Sequence, residues 1–449
     1  MHRLVLLLLG AATLLAGPRA GAQNPAKVPF EQYTLDNGLT VILSEDHSAQ
    51  VVAVTLYYDV GSRNERPGRT GFAHLFEHMM FQGSENVQKR QHSELIQFAG
   101  GTVNGTTAED RTFYFEVLPS NRLNLGLWLE ADRMRSLAVT DSNFTNQRQA
   151  VKEERRLRVD NQPYAGAIAE QSYTLYDSSA CFPYSHSIIG SMADLDAATT
   201  AEARQFFQTY YAPNNATLVI VGDFDPAAAK RMIQDYFGRI PRGTTPQPLP
   251  CDPRFGAGPQ RRSVRDDKAT LPATVQLFRA PAYDHADYPA LELLATVLGQ
   301  GESSRLNRRL AREAKAAIAA QSFLNLFGPR RGPGVFMAFA IANQGVRLDS
   351  LDGLLTREIA RIAGEGVSEQ ELTKAKNSYR ATLIMGRQQA LSVADALQSA
   401  KMFLGSPEAV NTNYERYLRV TVDDVKRVAA TYLRPDNSLT LLISSEATP

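Results

Sequence analysis

Two histidines and a glutamate occupy one short apolar stretch, Gly71-Phe-Ala-His74-Leu-Phe-Glu77-His78-Met-Met-Phe81. The stretch has no proline, and Phe72, Leu75, Phe76, Met79 and Met80 recur at helical spacing. On a helix, His74 and His78 stack on one face, one turn above the other. Two imidazoles so placed can chelate one metal ion, and Zn²⁺ is the usual occupant of His/carboxylate sites. Glu77 leans toward the same face, where it could be a ligand or take a proton from a metal-bound water. Two helix histidines are equally at home as surface or packing residues. A tetrahedral site also needs a third protein ligand that this stretch does not contain.

The chain start bears on where such a site would operate. Met1-His-Arg3 is basic, Leu4 to Leu15 is apolar apart from Gly10 and Thr13, and Ala20-Gly-Ala22 is a small-x-small site before Gln23. Residues 1–22 read as a secretory signal peptide, too short for a stable membrane span. No later run is apolar at membrane length, so the expected mature chain is exported, periplasmic and free of membrane spans. What remains suits two domains of about 200 residues each. Lys and Arg number 48 against 47 Asp and Glu, a balance that gives no sign of a nucleic-acid partner. The two cysteines, Cys181 and Cys251, read equally as a disulfide permitted by export or as two free buried thiols. Neither has the spacing of a metal ligand or the surroundings of a nucleophile.

The elements that must position the histidines follow from pattern. Asn37-Gly38 joins two short strands in a hairpin, and Val51 to Val60 is a further strand. Helices are expected over the histidine stretch and over Gln91 to Ala99. Gly100 to Thr107 is a Gly-rich strand start leading into Arg111 to Val117, as an ordinary hairpin or as an edge open to an added peptide strand. Helices are expected over Leu123 to Leu137 and over Ser142 to Arg158, the second capped by Asp141 or Ser142. That second helix carries Glu153 and Glu154, the best sources of a third ligand; periodicity does not choose between them.

A buried-type strand is expected near Leu218, then a helix to Phe237. Six prolines between Pro241 and Pro259 mark a stiff connector over 241–262. It divides the chain into 23–240 and 263–449. The second part repeats the grammar of the first: strand from Ala273, helix Tyr288 to Leu298, a Gly-rich turn, strand Gly334 to Ile341, and helices over Ser350–Gly364 and Ser368–Leu404. Pro213-x-Asn215 and Pro435-x-Asn437, each after a Tyr and before an apolar strand, mark an internal repeat of domain size.

These pieces together resemble the M16 (pitrilysin-like, inverted zincin) peptidases, whose mark is His-x-x-Glu-His with a downstream acid. The half-length type that includes mitochondrial processing peptidase fits the length. The resemblance implies an α+β fold of two homologous domains, each a mostly antiparallel sheet packed with helices, together half of a clamshell. It implies one Zn²⁺ per chain held by His74, His78 and Glu154, Glu77 as general base, and Glu153 without a direct role. The strand around Asn104 and Thr107 corresponds to the edge that binds substrate backbone. The implied activity is endopeptidase cleavage of peptides or unfolded segments held extended inside a dimeric chamber.

Two departures stand out. Gln147 replaces an acid that relatives often carry seven residues before the ligand Glu. Ala311 and Ile318 stand where an Arg and a Tyr that grip substrate are expected, with Arg308, Arg309 and Arg312 nearby. The resemblance therefore implies the catalytic half of a heterodimer, completed by a second M16-like chain, rather than a homodimer. The competing reading is a non-catalytic assembly subunit; retention of His74, Glu77, His78 and Glu154 argues against it.

Overall fold

The computed structural model describes residues 25–247, 249, 251, 260–326 and 328–445. The expected signal peptide, and residues 248, 250 and 252–259 of the Pro-rich stretch, lie outside them.

The Asn37-Gly38 turn forms as its sequence requires. It joins β1 (Glu31–Thr34) to β2 (Thr40–Glu45), with Gly38 at φ 92° in the left-handed region. The chain continues through β3 (Val51–Tyr58), α1 (Phe72–Met79), α2 (Gln91–Phe98), β4 (Thr102–Thr107) and β5 (Thr112–Pro119). Next come α3 (Leu123–Ser136) and α4 (Asp141–Arg155), whose end widens into a π-helical turn, Arg156–Asp160. The cap of α4 is Thr140, whose hydroxyl accepts from Asn143 N at 3.2 Å; the expected cap at Asp141 or Ser142 is one or two residues late. Then follow α5 (Ala165–Ser172), α6 (Met192–Ala197), α7 (Thr200–Tyr210), β6 (Ala216–Gly222) and α8 (Pro226–Phe237).

The second half contains β7 (Gln260–Arg265), β8 (Ala273–Ala280), α9 (Tyr288–Gly299), β9 (Ala317–Leu324), β10 (Gly334–Ala342), α10 (Leu348–Glu365), α11 (Glu369–Gly386), α12 (Ala390–Leu404), α13 (Ala409–Leu418), α14 (Val422–Tyr432) and β11 (Ser438–Ser444). β7 starts inside the stretch expected as connector. The single helix expected over Ser368–Leu404 is broken between α11 and α12, because the two serve different layers. α11 stays in the second half, while α12 crosses to pack on β3 and β6.

The strands form two sheets. The first is ordered β1-β2-β6-β3-β5-β4 and the second β7-β11-β8-β10-β9. With β1 set aside the orders are the same, and in each only one pair, β2–β6 or β7–β11, is parallel. The Pro-x-Asn repeat is structural: Asn215 Nδ2 donates to Tyr210 O at 2.8 Å and Asn437 Nδ2 to Tyr432 O at 2.7 Å. Each amide ties a helix end to the strand that follows. The fold is α+β, with two homologous layered units.

Strand β6 explains how the units join. Leu218, Val219, Ile220 and Val221 are all buried, so both faces of the strand must be covered. Leu218 and Ile220 enter the core under α1 and α3. Val219 and Val221 enter a separate layer with Ile42 and, from α12, Val393, Ala394 and Leu397. The second sheet is covered reciprocally: Leu439, Leu441 and Ile443 of β11 pack with Leu175, Tyr176 and Tyr184 from the first half. The disulfide Cys181–Cys251 sits in this layer, which settles the cysteine question in favour of pairing.

Candidate metal centre

Helix α1 is short, and its start is set by close backbone approach. Gly71 has φ 90°, and a side chain there would meet Ile189 O at 2.8 Å; one at Gly190 would meet Gly71 Cα at 2.5 Å. The free N–H groups at this end go to a residue the sequence did not flag. Glu65, wholly buried, accepts from Gly71 N and Ala73 N, both at 2.8 Å. Burial pushes its carboxyl well up, against those two bonds. The only signal in the sequence was an isolated acid in the polar loop before the helix.

Phe72, Leu75, Phe76 and Met79 anchor α1 in the core, which leaves His74, Glu77 and His78 on the partly open face. The two rings are 4.9 Å apart and near perpendicular. Helix α4 runs alongside and brings Glu154 to both: Glu154 Oε2 is 3.1 Å from His78 Nε2 and 3.6 Å from His74 Nε2. Two donors bound tetrahedrally to zinc at about 2.05 Å lie about 3.4 Å apart, a value these two distances bracket. Burial pushes the His74 imidazole down to about 4, with His78 adding to the shift, so its nitrogen stays free to ligate at neutral pH. The hydrogen bond with His78 chiefly holds the Glu154 carboxyl below its usual range. Two imidazoles and one carboxylate make a donor set suited to Zn²⁺.

Glu153 points away. Its side chain is 57% exposed and pairs with Arg156 at 2.9 Å. Of the two acids that periodicity left open, Glu154 is the one that lies beside both imidazoles. Gln147 is buried in α4 and donates to Asn146 Oδ1.

Glu77 stands beside the three donors. Its Oε2 accepts from Thr107 Oγ1 at 2.6 Å. Burial pushes its carboxyl up, opposed by that bond and by His78. Thr107 ends β4, which pairs only with β5 and leaves its other edge unpaired among the described residues. The stretch is therefore both a hairpin arm and an edge. Asn104 lies exposed on it, its Oδ1 accepting from Gly105 N at 2.8 Å. Gly105 is needed for packing, since a side chain there would meet Glu77 Cγ at 3.0 Å.

Ala311 lies half-buried in a π-helical turn after α9, and Ile318 stands 57% exposed on the outer strand β9. The nearby cations are engaged: Arg308 and Arg309 with Glu313, Arg312 with Glu302. No helix among the described residues is long and apolar enough to cross a membrane.

Comparison with known proteins agrees with this architecture. Residues 40–174 match the family model "Insulinase (Peptidase family M16)", and residues 197–379 match "Peptidase M16 inactive domain". The chain is 29% identical over 449 residues to the zinc protease PqqE of Helicobacter pylori, covering 98% of this chain and 99% of that one. It superimposes on the crystal structure of a protease from Helicobacter pylori with a TM-score of 0.85 at 27% identity, covering 93% of this chain and all of the other. It also matches the periplasmic protease PqqL of Escherichia coli with a TM-score of 0.74 at 19% identity, covering 94% of this chain but 48% of PqqL. Both halves of the chain match models of one family, and solved M16 relatives share its overall fold: this protein belongs to the M16 peptidase family.

Proposed function

We propose that the chain is a zinc-dependent endopeptidase, with one Zn²⁺ held by His74, His78 and Glu154 and Glu77 as general base. One observation carries the reading: two Nε2 atoms converge on a single Glu154 oxygen, while Glu77 stands beside them, tied instead to Thr107. When bound, the metal supplies Lewis acidity and lowers the pKa of a coordinated water. Glu77 takes the proton of the attacking water and returns it to the leaving amine. Thr107 fixes the carboxylate's orientation. The free edge of β4, with Asn104 exposed on it, accepts an extended peptide as an added strand.

A similar fold occupies about half of PqqL. That ratio supports a working enclosure built from two such chains. With Ala311 and Ile318 at the positions expected to grip substrate, the isolated chain is a weak peptidase, and a second M16-like chain completes it. The implied signal peptide, and the periplasmic setting of PqqL, support export to the periplasm.

The test is metal analysis of purified protein together with Glu77→Gln. The variant keeps one zinc per chain and hydrolyses a quenched peptide library at least about a hundredfold more slowly. Near-normal turnover would sink the assignment. Solution mass, and activity with and without a homologous exported chain, separate heterodimer from homodimer.

A further inference from the structure

The turn between β4 and β5 carries two buried acids, Glu109 and Asp110, 4% and 2% exposed. It lies two residues beyond Thr107, the residue that holds Glu77. Backbone from the first half fixes one side of the turn: Ser62 N donates to Ala108 O at 3.2 Å and Arg63 N to Glu109 O at 3.0 Å. The other side is held from the second half, some 220 residues away. Gly328 N donates to Glu109 Oε1 at 3.0 Å, and Arg330 N and Arg331 N donate to Asp110 Oδ2 at 2.7 and 3.0 Å. Tyr184 OH donates to Asp110 Oδ1 at 2.8 Å, and Arg63 Nε lies 3.6 Å from the same oxygen.

Backbone donors are a specific way to hold a carboxylate, because they fix position without side-chain freedom. The donating segment is itself fixed. Asn325 Oδ1 accepts from Val335 N at 2.7 Å across the neck of the loop, Arg330 O accepts from Tyr283 N at 2.9 Å, and Arg331 pairs with Asp59 at 2.6 Å. The same turn directly follows Thr107, the last residue of β4. A rigid donor array is thus built by the half that has no metal-binding histidines, and it is aimed at the base of the catalytic strand.

We infer that residues 328–331 of the second half are a positioning element of the catalytic site: they clamp Glu109 and Asp110 and so hold Thr107 against Glu77. This rests on the peptidase reading above. The second half then contributes to the chemical step as well as to the enclosure. A shift of about 1 Å in a supporting group can lower a rate by up to about a hundredfold.

The test uses the full chain, zinc-loaded, in four forms: wild type, Asp110→Asn, Thr107→Val and the double variant. Asp110→Asn lowers kcat about tenfold or more with KM within about twofold, and zinc stays at one per chain. In the Thr107→Val background the same change has little further effect on kcat, because its route to Glu77 is already cut. Asn325→Ala, which loosens the loop from the second half alone, reproduces the loss in kcat and carries the test if Asp110→Asn does not fold. Metal-free protein gives an independent readout, since either loop variant raises amide hydrogen exchange over residues 102–107. An Asp110→Asn effect that is undiminished in the Thr107→Val background overturns the clamp, as does unchanged kcat in both loop variants. A wild-type chain without any hydrolysis, both alone and with a homologous exported chain, overturns the peptidase reading and the clamp with it, whereas a wild type silenced only by Glu77→Gln leaves that reading intact.

Discussion

Helices α1 and α9 hold equivalent places in the two halves. Each follows a central strand, β3 or β8, and packs on an outer strand, β4 or β9, and on a long helix, α4 or α11. Their side chains make them different objects. α1 keeps one face for His74, Glu77 and His78, and its neighbour α4 presents Glu154 to it. α9 is buried along almost its whole length, and its one carboxylate, Glu292, is sealed under Tyr417, on which Tyr379 stacks at 3.8 Å. Burial pushes the Glu292 carboxyl up, opposed by the hydrogen bond from Tyr417 and by Arg330. One scaffold position thus carries an open face with two histidines and an acid, or is a packing element, according to which face is left uncovered.

The sharpest way to break that comparison is to remove one acid from each half. Glu154→Gln is expected to weaken zinc binding more than the tenfold to roughly hundredfold typical of an outer support, while Glu292→Gln leaves zinc at one per chain. Titration with a competing chelator decides it. Glu153→Gln is the control, and loss of zinc in that variant instead would mean that the wrong acid was chosen.

A second test concerns the strap that joins the halves. Leu397 is fully buried against the first sheet. Leu397→Ala is expected to cost about 2–5 kcal/mol, the range for a large-to-small change in a core. Trp128, the single tryptophan, reports the first half, and circular dichroism reports both. Both signals should shift together in denaturant. Separate transitions would mean that the halves are energetically independent.

The smallest expected effect comes from behind α1. His92, Glu116 and Glu130 form a buried cluster with Arg133, which lies over the Phe81 and Tyr114 rings. Burial pushes Glu116 up to about 8. The folded state therefore keeps a proton that the unfolded state releases between about pH 4.5 and 8, and stability from this group falls as pH rises through that window. Glu116→Gln should remove a slope of up to about 1.4 kcal/mol per pH unit. Denaturant midpoints at pH 6 and pH 8 measure it, and equal shifts in variant and wild type would reject it. In the second half the buried acid Asp352, on α10, is instead paired with Arg261, Thr274 and Gln276.

Much of this was legible in the sequence because it is local. The Asn37-Gly38 turn, the spacing of His74 and His78, and the Pro-x-Asn repeat depend on neighbours within a few residues. What was not legible depends on distant chain. Nothing in the order of residues says that Glu65 reaches the start of α1. Nor does it say that Thr107 turns to Glu77, or that residues 390–404 leave their own half. The choice of Glu154 over Glu153 was open to periodicity because adjacent residues on a helix differ by only about 100°. It needed the family resemblance at first and the placement of α4 on α1 afterwards.

The reciprocal covering of the sheets has a consequence for biogenesis. A ribosome completes the first sheet at Gly222 but does not deliver its cover until Leu404 has emerged. At roughly 5–20 residues per second that interval is about 10–40 seconds. For that time Ile42, Val219 and Val221 form an unshielded apolar face, open to misassociation with other nascent chains. A polypeptide held unfolded until its synthesis is finished, and released only then to fold, never passes through that stage.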